Sequence, residues 1–213
     1  MEDVLEYVKE KWILLTAFSK KEELKEQLWE DIVYRYSAQH RHYHNLTHIA
    51  YLYSLCDRYI SLIKNPAVVG FAIIYHDIFY DTFRKDNEEQ SAIVAHDHLK
   101  QLNVNSSLIN NVKEFIRATK THQVSPNSFL KDDLALFLDF DMAILAAEPE
   151  LYKLYSEKIR KEYSKYADNI YKEGRKQALQ SILASTNIFA SAELKEEMEA
   201  QARINIQQEL NIL

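Results

Sequence analysis

A chain of 213 residues with only 2 glycines and 3 prolines cannot supply the frequent tight turns of a β-sandwich or barrel. It also lacks the glycine-rich phosphate loop of a Rossmann or P-loop enzyme. Hydrophobic residues at 47% and charged residues at 27% exclude global disorder, and 26 basic against 32 acidic side chains (net −6) remove any global attraction to nucleic acid.

An all-α fold is predicted, and most of its helix starts carry a local signal. The N-terminal MEDVLEYVKEKW is acidic where a signal peptide is basic, and the longest apolar run, Ala67 to Tyr75, is too short to span a bilayer. Neither export nor a membrane anchor is expected. Ser19-Lys20-Lys21-Glu22 has the form of a capping box opening a helix with Leu24, Leu28 and Ile32 on one face, and Asp86 with Glu89 repeats it before Ala92, Ile93 and Leu99. Further helices are predicted near Asn45, Pro66, Ser106, Lys131, Pro149, Asn169 and Ser191, about eight to ten in all. Asn65-Pro66, Ser125-Pro126 and Glu148-Pro149 mark boundaries, but no linker divides the chain. Residues 1–213 are expected to form one unit, with a core at about 20–147 and a helical extension at about 149–213. In the extension Tyr152, Tyr155, Tyr163 and Tyr166 recur at helical spacing and are expected in its core. The alternative is a basic-aromatic surface shared with Lys153, Lys158, Arg160 and Lys161. The single cysteine, Cys56, allows no intrachain disulfide and suits a reducing compartment, so the cytoplasm is the expected location.

All eight histidines lie between residues 40 and 122, and histidine is the commonest metal ligand. Taken singly, His40, His42, His96 and His98 suit the surface. His76-Asp77 is different: an imidazole beside a carboxylate inside an apolar helix is costly to bury unless both find a strong partner, such as a divalent cation or each other. His44 and His48, four apart, share a face if the helix after Asn45 extends back to residue 44. In Leu136 to Leu145, Asp139 and Asp141 sit two apart in an apolar helix, so only one can point at an ion held by the doublet.

The order His, then His-Asp, then Asp on successive helices resembles the HD-domain superfamily of metal-dependent phosphohydrolases. Arg41-x-x-His44, His76-Asp77 and the late D-x-D segment carry the likeness. More narrowly, RHYHNLTHI, YHDIFYD, the Asn87-Glu88 and Ser91-Ala92 pairs, ATKTH (Ala118 to His122), LDFD, YSEKIRKEY (Tyr155 to Tyr163) and Ala202-Arg203-x-Asn205 resemble a family described as predicted HD-type phosphohydrolases, over almost the whole chain.

The resemblance implies one HD-type helical bundle holding a divalent cation (Mn, Fe, Co, Ni, Zn or Mg), or two in some relatives. The ligands it implies are His44, His76, Asp77 and Asp141, with Asp139 in reserve. His48 would be a fifth protein ligand, so it is expected behind the ligands or on the substrate phosphate. HDIFYDT also resembles the H-D-x-x-E-D-T stretch of guanosine tetraphosphate hydrolases, except that Tyr80 occupies the glutamate position. Asp81 and Glu88 are then the candidate acids for the attacking water. Arg41, Lys120 and His122 are the candidate contacts to substrate, a small phosphorylated metabolite or nucleotide, and a homo-oligomer is compatible. Two other readings stand beside the hydrolase: a non-catalytic nucleotide sensor or scaffold, and a di-iron oxygenase using His96, His98 and His122. His96 and His98, two apart on a helix, cannot both face one site.

Overall fold

Short side chains that bond their own backbone set four of the helix starts. The computed structural model describes residues 2–213, and the described residues form ten α-helices and no strand. They are α1 (Glu2–Leu15), α2 (Glu22–Tyr36), α3 (Leu46–Arg58), α4 (Pro66–Tyr75), α5 (Asn87–Gln101), α6 (Ser106–Ala118), α7 (Lys131–Met142), α8 (Pro149–Glu162), α9 (Asp168–Ala184) and α10 (Ala192–Ile212). Asn45, Asn65, Asn105 and Ser191 each accept a backbone N–H of the first turn that follows, from Thr47, Val68, Leu108 and Leu194. Pro66 and Pro149 occupy first-turn positions, where a missing N–H costs nothing.

Neither capping box forms. α2 begins at Glu22 itself, so that residue stands at the first helical position instead of the third and Lys21, not Ser19, is the N-cap; Ser19 Oγ meets only Lys21 N at 3.4 Å. Asp86 does stand at the N-cap of α5, but its carboxylate is held by Arg84 and the Gln90 amide instead of the helix backbone. Local side-chain donors out-compete the first-turn amides there.

α4 is buried on nearly every side, eight of its ten residues being inaccessible, and α1, α3, α5, α6 and α7 pack around it. Gly70 admits the end of α1: a Cβ at that position would meet Leu15 Cδ2 at 2.8 Å. α1 therefore belongs to the core, adding Val8 and Trp12, although it precedes the boundary expected near residue 20. One hydrophobic cluster runs from Val8 to Ile206.

The C-terminal helices are tied to this core by buried polar groups. Asn205 Nδ2 donates to the carbonyls of Leu145 and Ala147, and Glu209 on α10 receives Arg175 from α9 with Tyr152 and Ser156 from α8. Tyr152 is thus a core residue of the extension, while Lys153, Lys158 and Lys161 point to solvent and Arg160 pairs with Asp168.

Candidate metal centre

α4 ends at Tyr75, so the His-Asp doublet lies at the end of the helix and not inside it as the sequence suggests. His76 is the C-cap residue, still helical at φ −59 and ψ −38, and Asp77 begins the turn. At this helix end the two adjacent side chains converge, with His76 Nε2 3.2 Å from Asp77 Oδ2. His76 Nδ1 lies 3.0 Å from the Ile73 carbonyl, an acceptor only, so Nδ1 carries a proton and Nε2 is the nitrogen left to face a cation.

His48, in the first turn of α3, brings Nε2 to 3.2 Å from His76 Nε2 and 3.2 Å from Asp141 Oδ1, which is itself 3.6 Å from His76 Nε2. Asp77 Oδ2 is 3.8 Å from His48 Nε2. One donor atom each from His48, His76 and Asp141 lies within 4.8 Å of the others. Bonds of about 2.1 Å place neighbouring ligands of one ion roughly 3.0–3.4 Å apart, so these separations fit a single cation. His48 was expected behind the ligands or on the substrate phosphate. The structure puts it among the donors, because α3 begins at Leu46 and turns residue 48 inward while residue 44 stays in the preceding loop.

His44 lies at the edge of the group, its Nε2 4.0 Å from Asp77 Oδ2. On its other side Nδ1 meets Glu162 Oε2 at 2.6 Å, and Glu162 Oε1 accepts the backbone N–H groups of Tyr43 and His44. Tyr80, the residue at the glutamate position of the H-D-x-x-E-D-T pattern, donates its hydroxyl to Glu162 Oε2 at 2.9 Å. Glu162 lies in the YSEKIRKEY segment but is not among the site residues expected from the sequence. A signal existed: Tyr152, Tyr155, Ile159 and Glu162 share one face of α8, which puts a carboxylate on an apolar stripe.

Asp139 turns away from the cluster and accepts from Ala190 N, Ser191 N and Ser191 Oγ at the start of α10. Asp141 faces inward and also meets His122 Nε2 at 2.9 Å through Oδ2. His122 adopts a left-handed backbone, φ 50, just past α6.

The other expected contacts fall elsewhere. Arg41 is buried, and its guanidinium donates to the carbonyls of His44, Asp77 and Ile78, so those donors are not free for a substrate phosphate. Lys120 is exposed and bonds the Lys85 carbonyl. Asp81 Oδ1 caps Phe83 N in the turn after the doublet. Glu88 stands in the first turn of α5, and neither it nor Asp81 reaches the cluster by a hydrogen bond or ion pair among those described. His98 is buried rather than superficial, beside Tyr75 and Asp31, and neither it nor His96 joins the His48–His76–Asp141 group.

Charge and burial act against each other throughout the centre. Burial would raise the Asp77 and Asp141 carboxyls, but the imidazole of His76 beside both, with His44 and His122 adding to it, pulls them below the usual range. Burial would lower His76, and the two carboxylates instead raise it well above an ordinary histidine. In His48 burial wins, and its pKa falls. A neutral His48 and ionised carboxylates suit metal binding, whereas His76 and His44, both shifted towards the charged form, would release a proton when a cation binds.

Comparison with protein-family models, with curated proteins and with solved structures returns no match for this chain. Fold and site by themselves define an all-helical protein with a His-His-Asp group able to hold a metal ion. No described helix is long and apolar enough to cross a membrane.

Proposed function

We propose that this chain is a divalent-metal-dependent phosphohydrolase of the HD type, acting on small phosphorylated substrates, with nucleotides the first class to test. The observation that carries the reading is the convergence of His48, His76 and Asp141, with Asp77 beside them, from the ends and turns of three different helices. Such polar groups are expensive to bury together without a cation to hold. A bound divalent cation supplies Lewis acidity and an acidified water.

The protein's own residues arrange the rest. His48 and His76 are enclosed, whereas the side chains of His44, Asp77, Asp141 and His122 are 15–29% exposed, so the centre opens towards solvent on that rim. His122 stands at the opening on the outer oxygen of Asp141, suited to meet a phosphoryl oxygen. Arg41 holds the loop before α3 against the turn after α4, keeping His44 and Asp77 on one side.

The test is elemental analysis of protein purified without chelator, then chelation and metal add-back while phosphate release is followed over phosphomonoesters, diesters and nucleotides. About one metal per chain, with activity lost on chelation and restored by metal, is the expected result. Folded protein that takes up no manganese, iron, cobalt, nickel or zinc would overturn the metal centre. Metal-loaded protein inert over the whole panel would overturn the hydrolase reading, and iron-dependent oxygen uptake would replace it with the oxygenase.

A further inference from the structure

Glu162 is the last residue of α8, in the part of the chain that the sequence presents as a packing extension. Its side chain is fully enclosed, and four donors converge on it: Tyr43 N at 2.7 Å, His44 N at 2.9 Å, the Tyr80 hydroxyl at 2.9 Å and His44 Nδ1 at 2.6 Å.

With two amides and the Tyr80 hydroxyl already donating to it, Glu162 acts as an acceptor, so His44 Nδ1 donates to it. Nε2, which faces Asp77 Oδ2 at 4.0 Å, is then the ring nitrogen left for a cation. His44 lies outside α3, and the bond to Glu162 is the hydrogen bond described for its ring. The Tyr80 ring at 4.4 Å and the Tyr43 ring at 5.0 Å flank it. The backbone leading into His44 is pinned by the same carboxylate through the Tyr43 and His44 amides.

We infer that Glu162 is a positioning residue of the metal centre: it fixes the tautomer and direction of His44 so that Nε2 completes the ligand set, which makes the C-terminal extension a working part of the site. The inference rests on the proposed function only in requiring that a cation bind there. Outer partners of metal-bound histidines typically change affinity by about 10–100-fold when removed.

Two measurements test it. In metal-free protein the His44 Nδ1 proton, shielded from exchange by Glu162, should give a downfield NMR signal that is present in the wild type and absent in Glu162→Gln. Cobalt(II) affinity is then measured by chelator competition for the wild type, Glu162→Gln, Glu162→Asp, Tyr80→Phe, His44→Ala and the His44→Ala/Glu162→Gln pair, with helicity checked by circular dichroism. Glu162→Gln should bind about 10–100-fold more weakly, Glu162→Asp and Tyr80→Phe less so, and the double variant no more weakly than His44→Ala alone.

Losses that multiply in the double variant would make Glu162 a merely structural residue, and wild-type affinity in folded Glu162→Gln or His44→Ala would overturn the inference. Should Glu162→Gln not fold, Glu162→Asp against Glu162→Asp/His44→Ala provides the same cycle. A wild type that binds no cobalt refutes the metal centre itself, and with it the ligand role of His44. A wild type that binds cobalt but shows no His44 Nδ1 signal refutes the positioning role alone.

Discussion

Replacing Arg41 by Met separates a brace from a substrate contact. Arg41 is 7% exposed, donates from Nη1 to the carbonyls of His44 (3.0 Å) and Asp77 (2.7 Å) and from Nη2 to Ile78 (3.0 Å), and stacks 4.9 Å above the Tyr36 ring. Methionine fills much of the same space but leaves those carbonyls without their charged donor. Net hydrogen bonds to charged groups contribute about 1.5–3 kcal/mol each, and they are not additive on one side chain, so a loss of about 3–5 kcal/mol is expected. In a chain of this size each kcal/mol lowers Tm by roughly 2–4 °C, which gives a fall of roughly 6–20 °C. Lysine should rescue little, since one ammonium cannot span three carbonyls as a planar guanidinium does. Melting curves are read beside the KM for the best substrate. An unchanged Tm with a raised KM would falsify the brace and return Arg41 to the substrate.

Asp139→Asn should cost about 1–3 kcal/mol by disturbing the Ala190 and Ser191 amides, yet keep metal, while Asp141→Asn should lose metal; elemental analysis reversing that order would refute the assignment. Glu209 is buried, and burial would raise it, but Arg175, Tyr152 and Ser156 hold its pKa below the ordinary value. An acid depressed in the folded state stabilises above its unfolded pKa, about 4.3, and that contribution disappears as pH falls through the lower folded value. Glu209→Gln should therefore lower stability at neutral pH and flatten the acid limb of a urea-stability profile below about pH 4.3; an unaltered acid limb would contradict the pairing.

Glycine and proline scarcity pointed to helices before any motif was considered, and the starts of α3, α4, α6, α8 and α10 follow from Asn45, Asn65-Pro66, Asn105-Ser106, Pro149 and Ser191. These are events within one turn of chain, so neighbouring residues suffice to decide them. His76 and Asp141 were conspicuous for the same kind of reason: they are polar residues in or beside apolar runs. The two boxes at Ser19 and Asp86 show the limit even of local patterns, since Arg84 and Gln90 take the carboxylate that should have capped α5.

Which polar residues meet was decided by the tertiary structure. His48 reaches His76 across 28 residues, Glu162 reaches His44 across 118, and Asp139 is drawn off to Ser191 across 52. Arg41 carries the same formal charge in the sequence whether it faces a phosphate or three carbonyls, and only the approach of α4 to the loop before α3 chooses between them. Sequence chemistry specifies what a side chain can bond. Packing of distant helices sets which partner lies within about 3 Å, and hydrogen bonds and metal coordination depend on that separation.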